Sequence, residues 1–124
     1  MTAGLTGLDH IQLPVGDLAA SVRWYERTLG FRLLTDYGTS AMLRGENGPD
    51  LMLWEAPGHE PVRLLVAGEA KPILFLKTSR IHEVAERFAS EGVEVVSFDD
   101  GGFALFLKFL DPDGNFLGLI QLAE

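Results

Sequence analysis

The sequence contains no cysteine, only ten lysines and arginines against eighteen aspartates and glutamates, and no long apolar run. Without cysteine there is no disulfide, no thiolate nucleophile and no sulfur-based metal site, which is the pattern of a protein kept in a reducing interior. A formal charge of −8 would repel a phosphate backbone, and the basic residues are scattered without forming a stripe. Nucleic acid is therefore excluded as a partner. No run approaches the roughly 20 apolar residues of a membrane helix, and Met1 to Gly7 lacks the basic and apolar regions of a signal peptide. The expectation is a cytoplasmic protein with no membrane partner.

What is present is enough for a core. The 124 residues, 47% of them apolar, suit one compact domain or two tightly merged halves. Leu8 to Val15 alternates as a strand, and Asp17 offers an N-cap carboxylate to a helix with Val22, Tyr25 and Leu29 on one face. Gly30 stops that helix. Phe31 to Tyr37 and Thr39 to Arg44 pair as a hairpin, and Asn47-Gly48 turns the chain into Leu51 to Trp54. Residues 1–55 thus form a first βαβββ module. From Ala56 to Pro72 proline, glycine and charge predominate, with only Val62 to Val66 apolar, as in a linker carrying a short arm.

Residues 73–124 repeat the order. Ile73 to Lys77 reads as a strand, Ile81, Val84, Ala85 and Phe88 recur at helical spacing, and Gly92 ends the helix. Val93 to Phe98, Phe103 to Leu110 and Phe116 to Leu122 follow as strands, the last two joined by Asp111-Pro112-Asp113-Gly114-Asn115. Across the copies His10 matches Ile73, Gly30 matches Gly92 and Gly48 matches Gly114, so the chain contains an internal repeat. A metal-type histidine stands in the first copy only.

These segments resemble the vicinal oxygen chelate superfamily, the glyoxalase, bleomycin resistance protein and dioxygenase type. The resemblance covers nearly the whole chain. It rests on Leu8-Asp9-His10-Ile11, on Asp17 to Gly30 with Trp24-Tyr25 before Leu29-Gly30-Phe31, and on Phe109 followed by Asp111-Pro112-Asp113-Gly114-Asn115. It implies an α+β fold whose two modules form a curved, mixed, eight-stranded sheet around a cleft. It also implies a homodimer, in some members with modules exchanged between chains.

In metal-dependent members the ligands lie on the first and last strands of each module. The matching positions here are His10, Met52, Ile73 and Gly118. Thioether, alkyl and hydrogen replace imidazole and carboxylate at three of the four, and one imidazole alone rarely holds a divalent ion. The resemblance so read implies neither a metal nor a cofactor. If those four positions face the cleft, alternation brings Gln12, Trp54, Phe75 and Ile120 to the same surface. Phe106 and Lys108 join them, while Leu107 and Phe109 pack beneath the helices. Such a lining suits a flat, partly aromatic ligand, although large apolar residues on strands more often fill a core. Trp24 is left near the helix edge, and His59 and His82 read as solvated, without companions at ligand spacing.

Three readings follow. One is a metal-free binding protein that sequesters a hydrophobic or aromatic small molecule, such as an antibiotic, in a cleft at the dimer interface. Another is an enzyme of the same fold, a lyase, isomerase or dioxygenase, dependent on a metal or using His10. A third is a degenerate module whose cleft is filled by its own side chains.

Overall fold

A computed structural model describes residues 3–124. Its backbone contacts divide the chain into two compact units, Met1–His59 and Glu60–Glu124. The α+β organisation read from the sequence holds, with a four-stranded mixed sheet and one helix in each unit.

In the first unit β1 (His10–Val15) leads into helix α1 (Leu18–Leu29). Three strands follow, β2 (Arg32–Asp36), β3 (Ser40–Arg44) and β4 (Asp50–Glu55). The sheet order is β1-β4-β3-β2: after the helix the chain enters at the far edge and meanders back until β4 pairs in parallel with β1. Helix α1 starts because the Asp17 carboxylate accepts the Ala20 N–H at 3.0 Å. It stops at Gly30 in a left-handed cap, φ 75°. Its Leu18, Ser21, Val22, Tyr25 and Thr28 are buried at the spacing of one helical face. Strand alternation supplies the other half of this core, with Leu13, Val15, Ala41, Leu43, Leu51 and Leu53 all nearly inaccessible.

The second unit repeats the plan with β7 (Phe75–Lys77), α2 (Ile81–Glu91), β8 (Val95–Asp100), β9 (Ala104–Leu110) and β10 (Phe116–Leu122), in sheet order β7-β10-β9-β8. Its core joins Ile81 and Phe88 of the helix to Leu107, Phe109, Leu117 and Leu119 of the sheet. The Phe88 and Phe109 rings meet edge to face, with centroids 4.9 Å apart. Strand β8 begins two residues later than the sequence suggests because Val93 belongs to the helix cap, where its N–H donates to the Phe88 carbonyl. Ile73 precedes the shorter β7 yet keeps the ladder, donating to the Phe116 carbonyl at 3.0 Å.

Ten strands are described, where the sequence suggests eight. The additional pair is a hairpin within the arm, β5 (Leu64–Val66) and β6 (Glu69–Lys71). The segment before it is held by the acidic turn of the second unit. Asp111 accepts the Asp113 and Asn115 backbone N–H groups and the Asn115 side-chain amide, each at 2.9 Å. Asn115, fully buried, accepts the Val62 N–H at 2.9 Å. The turn that reads as a hairpin connection is thus also an anchor for the arm.

Candidate functional site

Each sheet buries one face beneath its helix and leaves the other open. On the first sheet, pairing sets His10 opposite Asp50, Gln12 opposite Met52 and Pro14 opposite Trp54 across β1 and β4. Met52 in turn faces Met42 on β3. Alternation puts these even-numbered side chains on the side away from Leu13, Val15, Leu51 and Leu53. Gln12 and Trp54 are joined directly, the indole N–H donating to the Gln12 amide oxygen at 2.7 Å, while 43% of Trp54 stays accessible. The half-buried His10 imidazole carries Nδ1 2.8 Å from the Asp9 carboxylate. At the same end Arg44 grips Asp50 through two hydrogen bonds of 2.7 and 2.9 Å. That pairing, above all the hydrogen bond, holds the Asp50 carboxyl below the usual carboxylate range against the opposing effect of its partial burial, and raises Arg44.

On the second sheet two rows of paired residues run across the open face. Phe75, Gly118, Lys108 and Ser97 form one, and Lys77, Ile120, Phe106 and Asp99 the next. Phe75 leans across its own row toward Phe106 in the other. It can do so because Gly118 has no side chain: a Cβ there would fall 2.5 Å from Phe75 Cδ1 and closer still to Cε1. The Phe75 and Phe106 rings meet edge to face at 5.8 Å, and Phe103 adds a second such contact to Phe106 at 5.6 Å. Gly101 makes room for the same ring, since a Cβ there would lie 2.8 Å from Phe106 Cε2.

The expected residues therefore fall on two open faces, His10, Gln12, Met52 and Trp54 on the first and Phe75, Phe106, Lys108 and Gly118 on the second, with half-buried Ile73 just before β7. Met42, Asp50 and Phe103 are additions. Met42 was accessible to reasoning, because pairing β3 with β4 places it beside Met52. Phe103 was not: strand parity assigns it to the helix side with Leu107 and Phe109. It lies before β9 begins, however, in a turn where Gly102 takes φ +87° and alternation no longer applies. Two other expectations shift. His82 is exposed but sits 5.5 Å from the Phe98 ring, and His59 is half-buried.

Glu55 is the carboxylate at the end of β4, three residues beyond Met52. It is engaged elsewhere, accepting the Leu18 N–H at the start of α1 at 3.0 Å. Gln121 does the same for Ile81 and α2 at 2.8 Å. The two occupy equivalent places in the repeat, three residues after Met52 and Gly118, so the internal alignment carries over to structure. At the positions where the resemblance implies ligands, Met52, Ile73 and Gly118 carry a thioether, an alkyl chain and a hydrogen, a donor set that does not fit a divalent ion. Among the described residues no cluster of three histidines or carboxylates has metal-binding geometry.

Two βαβββ modules in succession, each closing a parallel pair between its first and last strands, define a paired-module α+β protein. Residues 7–119 match the model of the Glyoxalase/Bleomycin resistance protein/Dioxygenase superfamily, and the chain belongs to that family. It is 25% identical over 120 residues to the virulence protein STM3117 of Salmonella typhimurium strain LT2, covering 92% of this chain and 83% of that one. Among solved structures it resembles TnmS3, an antibiotic binding protein from Streptomyces sp. CB03234, with a TM-score of 0.80 and 24% identity over 98% of this chain and all of that one. It also resembles the fosfomycin resistance protein FosX of Listeria monocytogenes, with a TM-score of 0.77 and 18% identity over 96% and 95% of the two chains. At these identities the structural likeness speaks to the fold. No described helix is long and apolar enough to cross a membrane.

Proposed function

We propose that this protein binds a hydrophobic or aromatic small molecule, of the kind many antibiotics are, and holds it without chemistry and without a metal. The observation that carries the reading is the group of three phenylalanines on the open face of the second sheet, of which Phe75 and Phe103 remain 42% and 67% accessible. Aromatic rings left facing solvent retain most of the free energy that stacking on a flat ligand would release. The accessible Trp54 and the adaptable Met42 and Met52 extend the same character to the first sheet. The loss of donor side chains at the family ligand positions supports binding over metal-assisted catalysis, and the likeness to an antibiotic binding protein is in keeping with it. The reading includes a cytoplasmic homodimer, supported by the exposed Leu64, Leu65 and Val66 of the arm hairpin. Sedimentation at micromolar concentration measures that assembly, and a monomer would remove it from the proposal.

Thermal unfolding against a panel of aromatic compounds, antibiotics included, tests the central part. A ligand at about 100 times its Kd should stabilise the fold by about 2.7 kcal/mol. The proposal expects this shift to survive excess chelator and the compound to be recovered unchanged. Loss of the shift with chelator, or conversion of the compound, would refute it.

One observation favours a second reading. The Asp9 carboxylate beside His10 Nδ1 orients the imidazole and leaves Nε2 to accept a proton, so His10 could act as a general base. In that case a bound compound would be isomerised or cleaved, and His10→Gln would abolish the conversion while leaving binding intact.

A further inference from the structure

We propose that the ligand carries an acidic group, and that Lys108 is the side chain that meets it on the phenylalanine-lined face; this rests on the small-molecule reading above. The lysine is singled out by its surroundings. Among the described residues only two lysine or arginine residues are half-buried, Lys71 and Lys108, and Lys71 has Glu69 at 3.6 Å. The Lys108 ammonium makes no ion pair and no hydrogen bond among the described residues, in a chain with a formal charge of −8. With acidic groups in such excess, a half-buried lysine whose ammonium is paired with none of them is a site kept open for an anion. Asp99 shares the face, diagonally across the Phe106 pair, yet does not close on it.

The geometry around the lysine specifies the rest of the ligand. Lys108 pairs with Gly118 on one side and with Ser97 on the other. Gly118 is covered by the Phe75 ring, so an aromatic edge borders the ammonium's row. Phe106 stands two residues back along the same strand face, flanked edge to face by Phe75 and Phe103 at interplanar angles of 72° and 73°. Phe103 is carried by a turn tied at both ends: Gly101 donates to the Ala104 carbonyl at 2.9 Å, and Ala123 donates to the Phe103 carbonyl at 2.8 Å. Its position is built in. A planar aromatic acid, with its rings against the phenylalanines and its carboxylate, sulfonate or phenolate toward Lys108, satisfies both the apolar surface and the open charge.

Two dyes of the same aromatic skeleton separate these contributions: 1-anilinonaphthalene-8-sulfonate, which is anionic, and N-phenyl-1-naphthylamine, which is neutral. Fluorescence titration should give tighter binding of the anionic dye, by roughly fivefold to tenfold at low salt for a partly solvated charge pair, with the preference shrinking as salt is added. Lys108→Gln should remove the preference and Lys108→Arg restore it, each variant being confirmed as folded by its thermal transition. Phe103→Ala should weaken both dyes alike, and Arg23→Gln, on the exposed side of α1, should change neither. Equal binding of the two dyes, or an anionic preference unaffected by Lys108→Gln, would overturn the acid recognition while leaving the aromatic reading standing. Binding of neither dye would overturn both.

Discussion

Substituting Gly118 by alanine should destabilise the protein, and the same substitution should become neutral or stabilising once Phe75 is removed. The new methyl group would occupy the place of the Phe75 ring, whose Cδ1 lies 2.5 Å from where the Cβ must go. Either the ring swings outward, losing an edge-to-face contact with Phe106 worth about 1 kcal/mol, or the strands shift. Residual crowding costs about another 1 kcal/mol. Replacing glycine by alanine returns about 0.5 kcal/mol by restricting the unfolded chain. The net expectation is a loss of about 1.5 kcal/mol, or roughly 5 °C in Tm for a chain of this length. In a Phe75→Ala background the obstruction is gone and only the gain of about 0.5 kcal/mol remains, so the two sites should be coupled by about 2 kcal/mol. Urea denaturation of the wild type, both single variants and the double variant measures this cycle. Equal effects of Gly118→Ala in the two backgrounds would show that Phe75 does not lie over Gly118, and the aromatic group built on that contact would go with it.

Three further outcomes are expected. Asn115→Ala should cost about 1 to 3 kcal/mol in urea unfolding, because it removes the amide donor to one oxygen of the buried Asp111 carboxylate and the side-chain acceptor of the Val62 N–H together. Glu55→Ala and Gln121→Ala should each cost about 1 kcal/mol by uncapping the first N–H of a helix, whereas Glu55→Gln should cost far less because an amide oxygen can still accept. Asp50→Asn should matter only where the carboxylate is ionised. Since Arg44 holds the folded-state pKa below its unfolded value, the contribution is fully present above the unfolded value and disappears as pH falls through the folded one. The difference in urea midpoint between wild type and Asp50→Asn should therefore shrink on going from neutral to strongly acid pH, and a constant difference would contradict the pairing.

The fold was legible because the signals that set it are local and occur twice. Asp17 before an apolar face, Gly30 and Gly92 after helices, and apolar alternation in four strands per module are enough to write βαβββ two times over. Strand parity also puts Leu107 and Phe109 in the core and Phe106 and Lys108 on the opposite face, as the structure has them. It failed at Phe103, where a turn breaks the two-residue period. The arm hairpin is not legible in the sequence because Leu64 to Val66 is short and its partner Glu69 to Lys71 is polar, leaving no apolar alternation. Helix α2 lacks a capping side chain at Arg80, and the cap comes from Gln121, forty residues away, a relation that only the folded chain reveals. The same holds for the Gly118 and Phe75 contact. A glycine on a strand signals close approach by something, but the sequence does not say by which residue.

Native mass spectrometry of untagged protein, after exposure to an extract of its own host cells, addresses the central claim in one spectrum. Sequestration predicts an organic adduct that survives chelator, no mass corresponding to a divalent ion, and an adduct mass equal to that of the free compound in the extract. A stoichiometric divalent ion retained by the protein would contradict the account, because His10, Met52, Ile73 and Gly118 do not supply the donors to hold one.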